Sequence, residues 1–123
     1  MEDNSIKTYK DLFVWQKSIE LVLEIYRIAD HFPKEEVYGI TSQMKRSAVS
    51  IPSNIAEGKR RGTRRDFCYF LNIAYGSGAE LETQIEIVKK LNFGINLDFA
   101  KIDLLLNEIM RMLNVMISKL KIN

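Results

Sequence analysis

A chain of 123 residues with 46% hydrophobic and 28% charged side chains has the size and make-up of one globular domain. Eighteen Lys and Arg against sixteen Asp and Glu leave +2, a bulk figure that points to no nucleic-acid or membrane partner by itself. Two prolines and six glycines disfavour a turn-rich β-sandwich, and a lone cysteine (Cys68) and a lone histidine (His31) exclude disulfide frameworks and most metal or acid–base sets.

Apolar spacing predicts four helices, over roughly residues 11–31, 37–58, 63–91 and 97–121. In the first, Leu12, Trp15, Ile19, Val22, Tyr26 and Ala29 step by three and four, the spacing of one helical face. A second stripe, Val14, Leu21, Ile25, Ile28 and Phe32, lies beside it. Pro33 interrupts, and Val37, Ile40, Met44, Ala48, Ile51 and Ile55 continue the pattern up to Gly58, read as a C-terminal stop. Pro52 falls inside this helix, where it removes a hydrogen bond and predicts a kink.

Thr63 with Asp66 resembles a capping box that opens the third helix. Phe67, Leu71, Ala74, Gly78, Leu81, Ile85 and Val88 form its seam, with Gly76 and Gly78 marking close backbone approach. After an Asn92–Asn96 turn, Phe99, Ile102, Leu106, Ile109, Leu113, Met116 and Leu120 make the fourth seam. The fold class expected is all-α, an antiparallel up-down-up-down four-helix bundle in one domain, 1–123. Apolar residues beyond one seam, the second stripe of helix 1 with Leu104, Leu105, Met112 and Val115, point to surface buried against another chain.

Chemistry is scarce. A di-iron bundle needs Glu-x-x-His on two helices, but Ile28 stands three before the lone His31, which reads as a helix-terminus residue. Cys68 reads as a buried, inert thiol. No nucleophile triad or phosphate-binding glycine motif is found, so neither an enzyme nor a cofactor is expected. The acidic N-terminus, Met1-Glu2-Asp3-Asn4-Ser5, is unlike a secretory signal. The longest stretch without Lys, Arg, Asp or Glu, Phe67–Ala79, is too short to span a bilayer. The expected setting is cytoplasmic, with no membrane.

Two polar features stand out. Gln43, Arg46, Ser50, Asn54 and Glu57 share one face of helix 2, with Glu80 and Gln84 at i, i+4 on helix 3. The row reads either as a hydrogen-bonded network, with Arg46 pairing Glu57 or Glu80, or as a solvated face. Lys59, Arg60, Arg61, Arg64 and Arg65 cluster around Gly62 and Thr63. Helix 2's dipole accounts for the first three, but Arg64 and Arg65 open helix 3, where cations are disfavoured. Gly58 and Gly62 leading into a helix N-terminus, with arginines added, suit phosphate. With Lys45 and Arg46 included, residues 45–65 hold seven cations and one acid, a net +6 that leaves −4 over the rest. Nucleic-acid binding through Lys45, Lys59, Arg60, Arg61, Arg64 and Arg65 is one reading. A protein–protein scaffold with a solvated basic loop is the other.

The chain also resembles the bacterial four-helix-bundle proteins first noticed as reading frames in intervening sequences of 23S ribosomal RNA genes. The resemblance spans about Tyr9 to Lys121. Helix 1 carries it in Leu12-Phe13-Val14-Trp15-Gln16-Lys17, and the turn in Phe32-Pro33 with Glu36-Val37-Tyr38-Gly39. The long motif Gln43-Met44-Lys45-Arg46-Ser47-Ala48-Val49-Ser50-Ile51-Pro52-Ser53-Asn54-Ile55-Ala56-Glu57-Gly58 carries it in helix 2. Helix 3 adds Phe70-Leu71-Asn72-Ile73-Ala74-Tyr75-Gly76-Ser77 and Glu80-Leu81-Glu82-Thr83-Gln84. It implies a four-helix bundle assembling as a homopentamer. It further implies a relation to the accessory variability protein of diversity-generating retroelements, which binds nucleic acid and partners a reverse transcriptase. The motif supplies no catalytic residue.

Overall fold

The computed structural model describes residues 7–121, and its regular elements are all helical. Four helices, α1 (Phe13–Ala29), α2 (Ile40–Arg61), α3 (Arg64–Lys90) and α4 (Ala100–Lys121), are accompanied by 3-10 turns at Tyr9–Asp11 and Lys34–Glu36. Met1 to Ser5, read above as unlike a signal, lie outside the described residues.

α1 begins two residues later than expected because Thr8 caps a separate turn: its hydroxyl accepts from the Lys10 amide and the Asp11 carboxylate accepts from the Thr8 amide. Leu12 is then extended, and the helix starts at Phe13. The two stripes of α1 exchange the roles expected of them. Val14, Leu21, Ile25, Ile28 and Phe32 are buried, whereas of the first stripe only Ala29 is buried, Leu12, Trp15, Ile19 and Val22 being half-buried and Tyr26 exposed. Ser18 is the reason. With it included, Val14, Ser18, Leu21, Ile25, Ile28 and Phe32 step 4, 3, 4, 3, 4, an unbroken inner face. Its buried hydroxyl donates to the Val14 carbonyl at 2.7 Å, so a polar residue sits in the core with its hydrogen bond made.

α2 is displaced toward the C-terminus. Val37 and Tyr38 lie outside it and are exposed, and Gly39 precedes the first turn. The expected stop at Gly58 is overturned: the helix runs on to Arg61 and ends at Gly62, whose φ of +83° suits glycine alone. Gly58 is instead buried, and a Cβ there would meet the Phe70 Cβ at 2.8 Å, so its lack of a side chain lets α2 and α3 close on each other. Met44, Ala48, Ile51 and Ile55 face the core as the spacing predicts, and Pro52 is buried within the same helix.

α3 buries Leu71, Ala74, Gly78, Leu81, Ile85 and Val88, the predicted seam apart from half-buried Phe67. Its two glycines divide: Gly78 lies against Met110 of α4, whereas Gly76 faces open space. Phe99, just before α4, and Ile102, Leu106, Ile109 and Leu113 within it are buried as expected, Met116 and Leu120 are half-buried, and Leu105, Met110 and Ile117 are buried besides.

Each helix packs on two others, α1 and α3 both lying between α2 and α4. Along α1 and α2, Tyr9 meets Arg60 and Tyr26 meets Lys45. Along α2 and α3, Ser50 meets Ser77 and Gly58 meets Phe70. Lys89 reaches Asp103 and Arg64 reaches Leu120 between α3 and α4, while Lys17 reaches Glu108 and Lys101 reaches Glu24 between α4 and α1. In every pair a rising number on one helix meets a falling number on its neighbour, the signature of antiparallel contact. The start of α1, the end of α2, the start of α3 and the end of α4 therefore share one end of the bundle.

Candidate nucleic-acid interface at one end of the bundle

Gly62 and Thr63 alone connect α2 to α3. The Thr63 hydroxyl accepts the Asp66 amide at 3.1 Å, which supplies the Thr63 half of the expected cap. So short a link leaves no room for a glycine-rich phosphate loop containing Gly58, and that expectation is withdrawn. Lys59, Arg60 and Arg61 occupy the last turn of α2 rather than the residues after it.

This turn fans its cations over aromatic rings. Lys59 Nζ lies 5.6 Å from the Phe67 ring centre, the Arg60 guanidinium 5.5 Å from Tyr9, and the Arg61 guanidinium 5.0 Å from Phe70. Arg61 also donates to Glu57 at 3.0 Å, whereas Lys59, Arg60 and Arg65 meet no carboxylate among the described residues. A stacked guanidinium keeps N–H groups on its rim for a phosphate.

The two arginines that open α3 part company. Arg64 donates to the carbonyls of Lys119 and Leu120 at 2.7 and 3.1 Å. It thereby satisfies the electronegative end of α4, which explains a cation in the first turn of α3. Arg65, its neighbour, is exposed. Lys45 does not belong to the cluster. It stands fourteen residues before Lys59, about 21 Å along the helix, with its ammonium 4.6 Å from the Tyr26 ring.

The structure brings to this end several residues that the reading of the chain left out: Tyr9 and Lys10 before α1, and Lys119 and Lys121 in the last turn of α4. Only the antiparallel arrangement joins them to Arg60 and Arg64. The signal was available in Thr8 and Asp11, which cap the Tyr9 turn, but not in any linear cluster of charge.

The polar row of α2 is also divided. Ser50 and Ser77 share a hydrogen bond of 2.7 Å across the α2–α3 interface, and the Asn54 amide donates to the Ser50 hydroxyl at 2.9 Å and carbonyl at 2.8 Å. Gln43, Arg46, Glu57 and Glu80 are exposed. The pairing of Arg46 with Glu57 fails on distance, since eleven residues are about 16 Å along one helix, and Glu57 serves Arg61 instead. No ion pair joins Arg46 to Glu80 among the described residues. Gln84 Oε1, also on α3, is buried and has no hydrogen-bond partner there.

Other chemistry is thin. The described residues contain no group of His, Cys, Asp and Glu able to hold a metal ion, and no helix long and apolar enough to cross a membrane. Cys68 is half-buried rather than buried, with its sulfur 3.7 Å from the Asn72 amide. An apolar groove of about 360 Å³ runs between the start of α1 and α4, walled by Phe13, Met112, Val115 and Met116. Leu104 is 66% exposed further along α4.

The family model described as 23S rRNA-intervening sequence protein matches residues 10–115. The crystal structure of a protein with unknown function from the S23 ribosomal protein family of Bacteroides thetaiotaomicron is similar to this chain, with a TM-score of 0.76 and 27% identity. The similarity covers 85% of this chain and 97% of that one. No curated protein matches the chain.

Proposed function

The chain belongs to the 23S rRNA-intervening sequence protein family, and on that premise we propose a non-enzymatic, oligomeric bundle that binds the backbone of RNA or DNA through its basic end. One observation carries the reading: Lys59, Arg60 and Arg65 crowd one end of the bundle without carboxylate partners among the described residues. Charge held in that way is available to phosphate. Because the names of the family and of the solved relative refer to ribosomal RNA and to the ribosome, RNA is the first ligand to try.

Binding of this kind is weakly sequence-specific and salt-dependent, each neutralised phosphate adding about 0.7–0.9 to the log–log salt slope. A homopentamer, which the family resemblance implies, would present five copies and gain by avidity. The exposed Phe13, Leu104 and Val115 supply apolar surface for such contacts. A reverse transcriptase as partner, and a cytoplasmic setting, complete the proposal.

Fluorescence anisotropy of labelled RNA against salt tests it. Replacing Arg60, Arg61 and Arg65 by Ser should lower the slope by about 2–3; binding equal to wild type would remove this end from the interface. Light scattering should return several times 14.3 kDa, and a monomer at micromolar concentration would refute assembly. The apolar groove favours a second reading, a protein–protein scaffold with no nucleic-acid role. Absence of binding at low salt, with one protein co-purifying, would select it.

A further inference from the structure

We infer that the basic end takes unpaired rather than duplex nucleic acid, with Tyr69 stacking on a base and Arg65 beside it holding a phosphate. This rests on the nucleic-acid reading above and narrows its ligand.

Arg65 and Tyr69 stand four residues apart on α3, so their Cβ atoms are neighbours about 6 Å apart on one face. Both are exposed, Tyr69 to 61%, and Arg65 has no carboxylate partner among the described residues. Tyr69 is braced from inside: its ring meets Phe70 at 90° with centres 5.0 Å apart. The Arg61 guanidinium lies 5.0 Å from the Phe70 ring centre in turn. Arg61, Phe70, Tyr69 and Arg65 thus follow one another as two adjoining rings with a cation on either side.

An exposed ring with a cation beside it suits a single strand. An unpaired base offers its face to an aromatic ring while the adjoining phosphate meets a cation, and any base will do. A duplex offers no such face, because its bases stack on one another; against its phosphates the Tyr69 ring would lose water and gain nothing.

The test compares single-stranded RNA with its duplex at low salt and then across a salt series, for the full chain and for Tyr69→Ala, Tyr69→Phe and Arg65→Ser. Wild type should prefer the single strand. Tyr69→Ala should lose about tenfold on the single strand and less than twofold on the duplex, and Tyr69→Phe should keep wild-type binding. Arg65→Ser should weaken both ligands and lower the salt slope by about 1. Circular-dichroism melting of Tyr69→Ala should match wild type, since the side chain is exposed. Tighter binding of the duplex, or Tyr69→Ala binding single strands as wild type does while the triple serine variant fails, would overturn the stacking role and leave the nucleic-acid reading standing. Failure of every protein to bind either ligand would overturn both.

Discussion

The two ends of the bundle satisfy their charges in different ways. Where α1 and α3 finish and α2 and α4 begin, cations meet acids: Lys89 with Asp103 and Glu86, Lys90 with Glu86, and Lys101 and Arg27 with Glu24. At the opposite end, cations lie over Phe67, Tyr9 and Phe70, or donate to the carbonyls that finish α4, and although Arg61 also pairs with Glu57, Lys59, Arg60 and Arg65 meet no carboxylate among the described residues. The opposite charges of an ion pair cancel at any distance much larger than their separation, and salt screens what remains over a Debye length of about 8–10 Å. Rings and carbonyls hold a cation in place without cancelling its charge. One end is therefore largely neutralised, and the other keeps a net positive field directed outward.

Substitutions at each end sharpen that contrast. The largest effect belongs to Gly94→Ala at the paired end, because a Cβ there would run into the Val88 carbonyl, which cannot move without its helix. A loss of about 3 kcal/mol is expected in urea unfolding. Gly58→Ala does the corresponding damage at the basic end. Pushing Phe70 and Phe67 away from α2 should cost about 2 kcal/mol and weaken RNA binding too, since Lys59 and Arg61 lie on those rings.

Arg64→Ala should cost about 0.5–1 kcal/mol by freeing the last carbonyls of α4, with faster hydrogen exchange confined to that helix end. If Arg64→Ala instead reduced binding as much as Arg65→Ser at unchanged stability, the division of labour between the two would be broken.

The smallest effect is a titration at the paired end. The hydrogen bond to Asp103 outweighs the opposing cost of burial and, with the negative charges of Asp103 and Glu86, raises the pKa of Lys89 above its ordinary value. A raised lysine pKa gives stability that is fully present below the unfolded-state value and is lost as pH rises through the folded-state value. Melting followed into the alkaline range should therefore show wild type losing a few tenths of a kcal/mol relative to Asp103→Asn, as suits so exposed a pair.

Much of this was legible in the sequence, and the exceptions have physical causes. Heptad spacing located all four helices, because a bundle core selects residues at that period. It misassigned the faces of α1, since buried Ser18 interrupted the true inner stripe while apolar Trp15 and Val22 completed a false one. Gly58 and Gly62 are both plausible helix stops by residue type. Only the close approach of Phe70 at the first and the positive φ at the second tell them apart. The basic cluster was visible as a linear run. Its extension to Tyr9, Lys10, Lys119 and Lys121, and the diversion of Arg64 to α4, depend on contacts between residues more than fifty positions apart.

The central claim is that the placement of charge, and not its total, makes the interface. Two charge-matched variants test it directly: Arg60, Arg61 and Arg65 to Ser at the basic end, and Lys34, Lys90 and Lys101 to Ser at the paired end. Both lose three cations, and anisotropy of single-stranded RNA from 50 to 200 mM salt compares them. The account predicts that the first loses more than tenfold in affinity and about 2–3 in slope, while the second stays within about twofold of wild type. Equal losses in the two variants would contradict it.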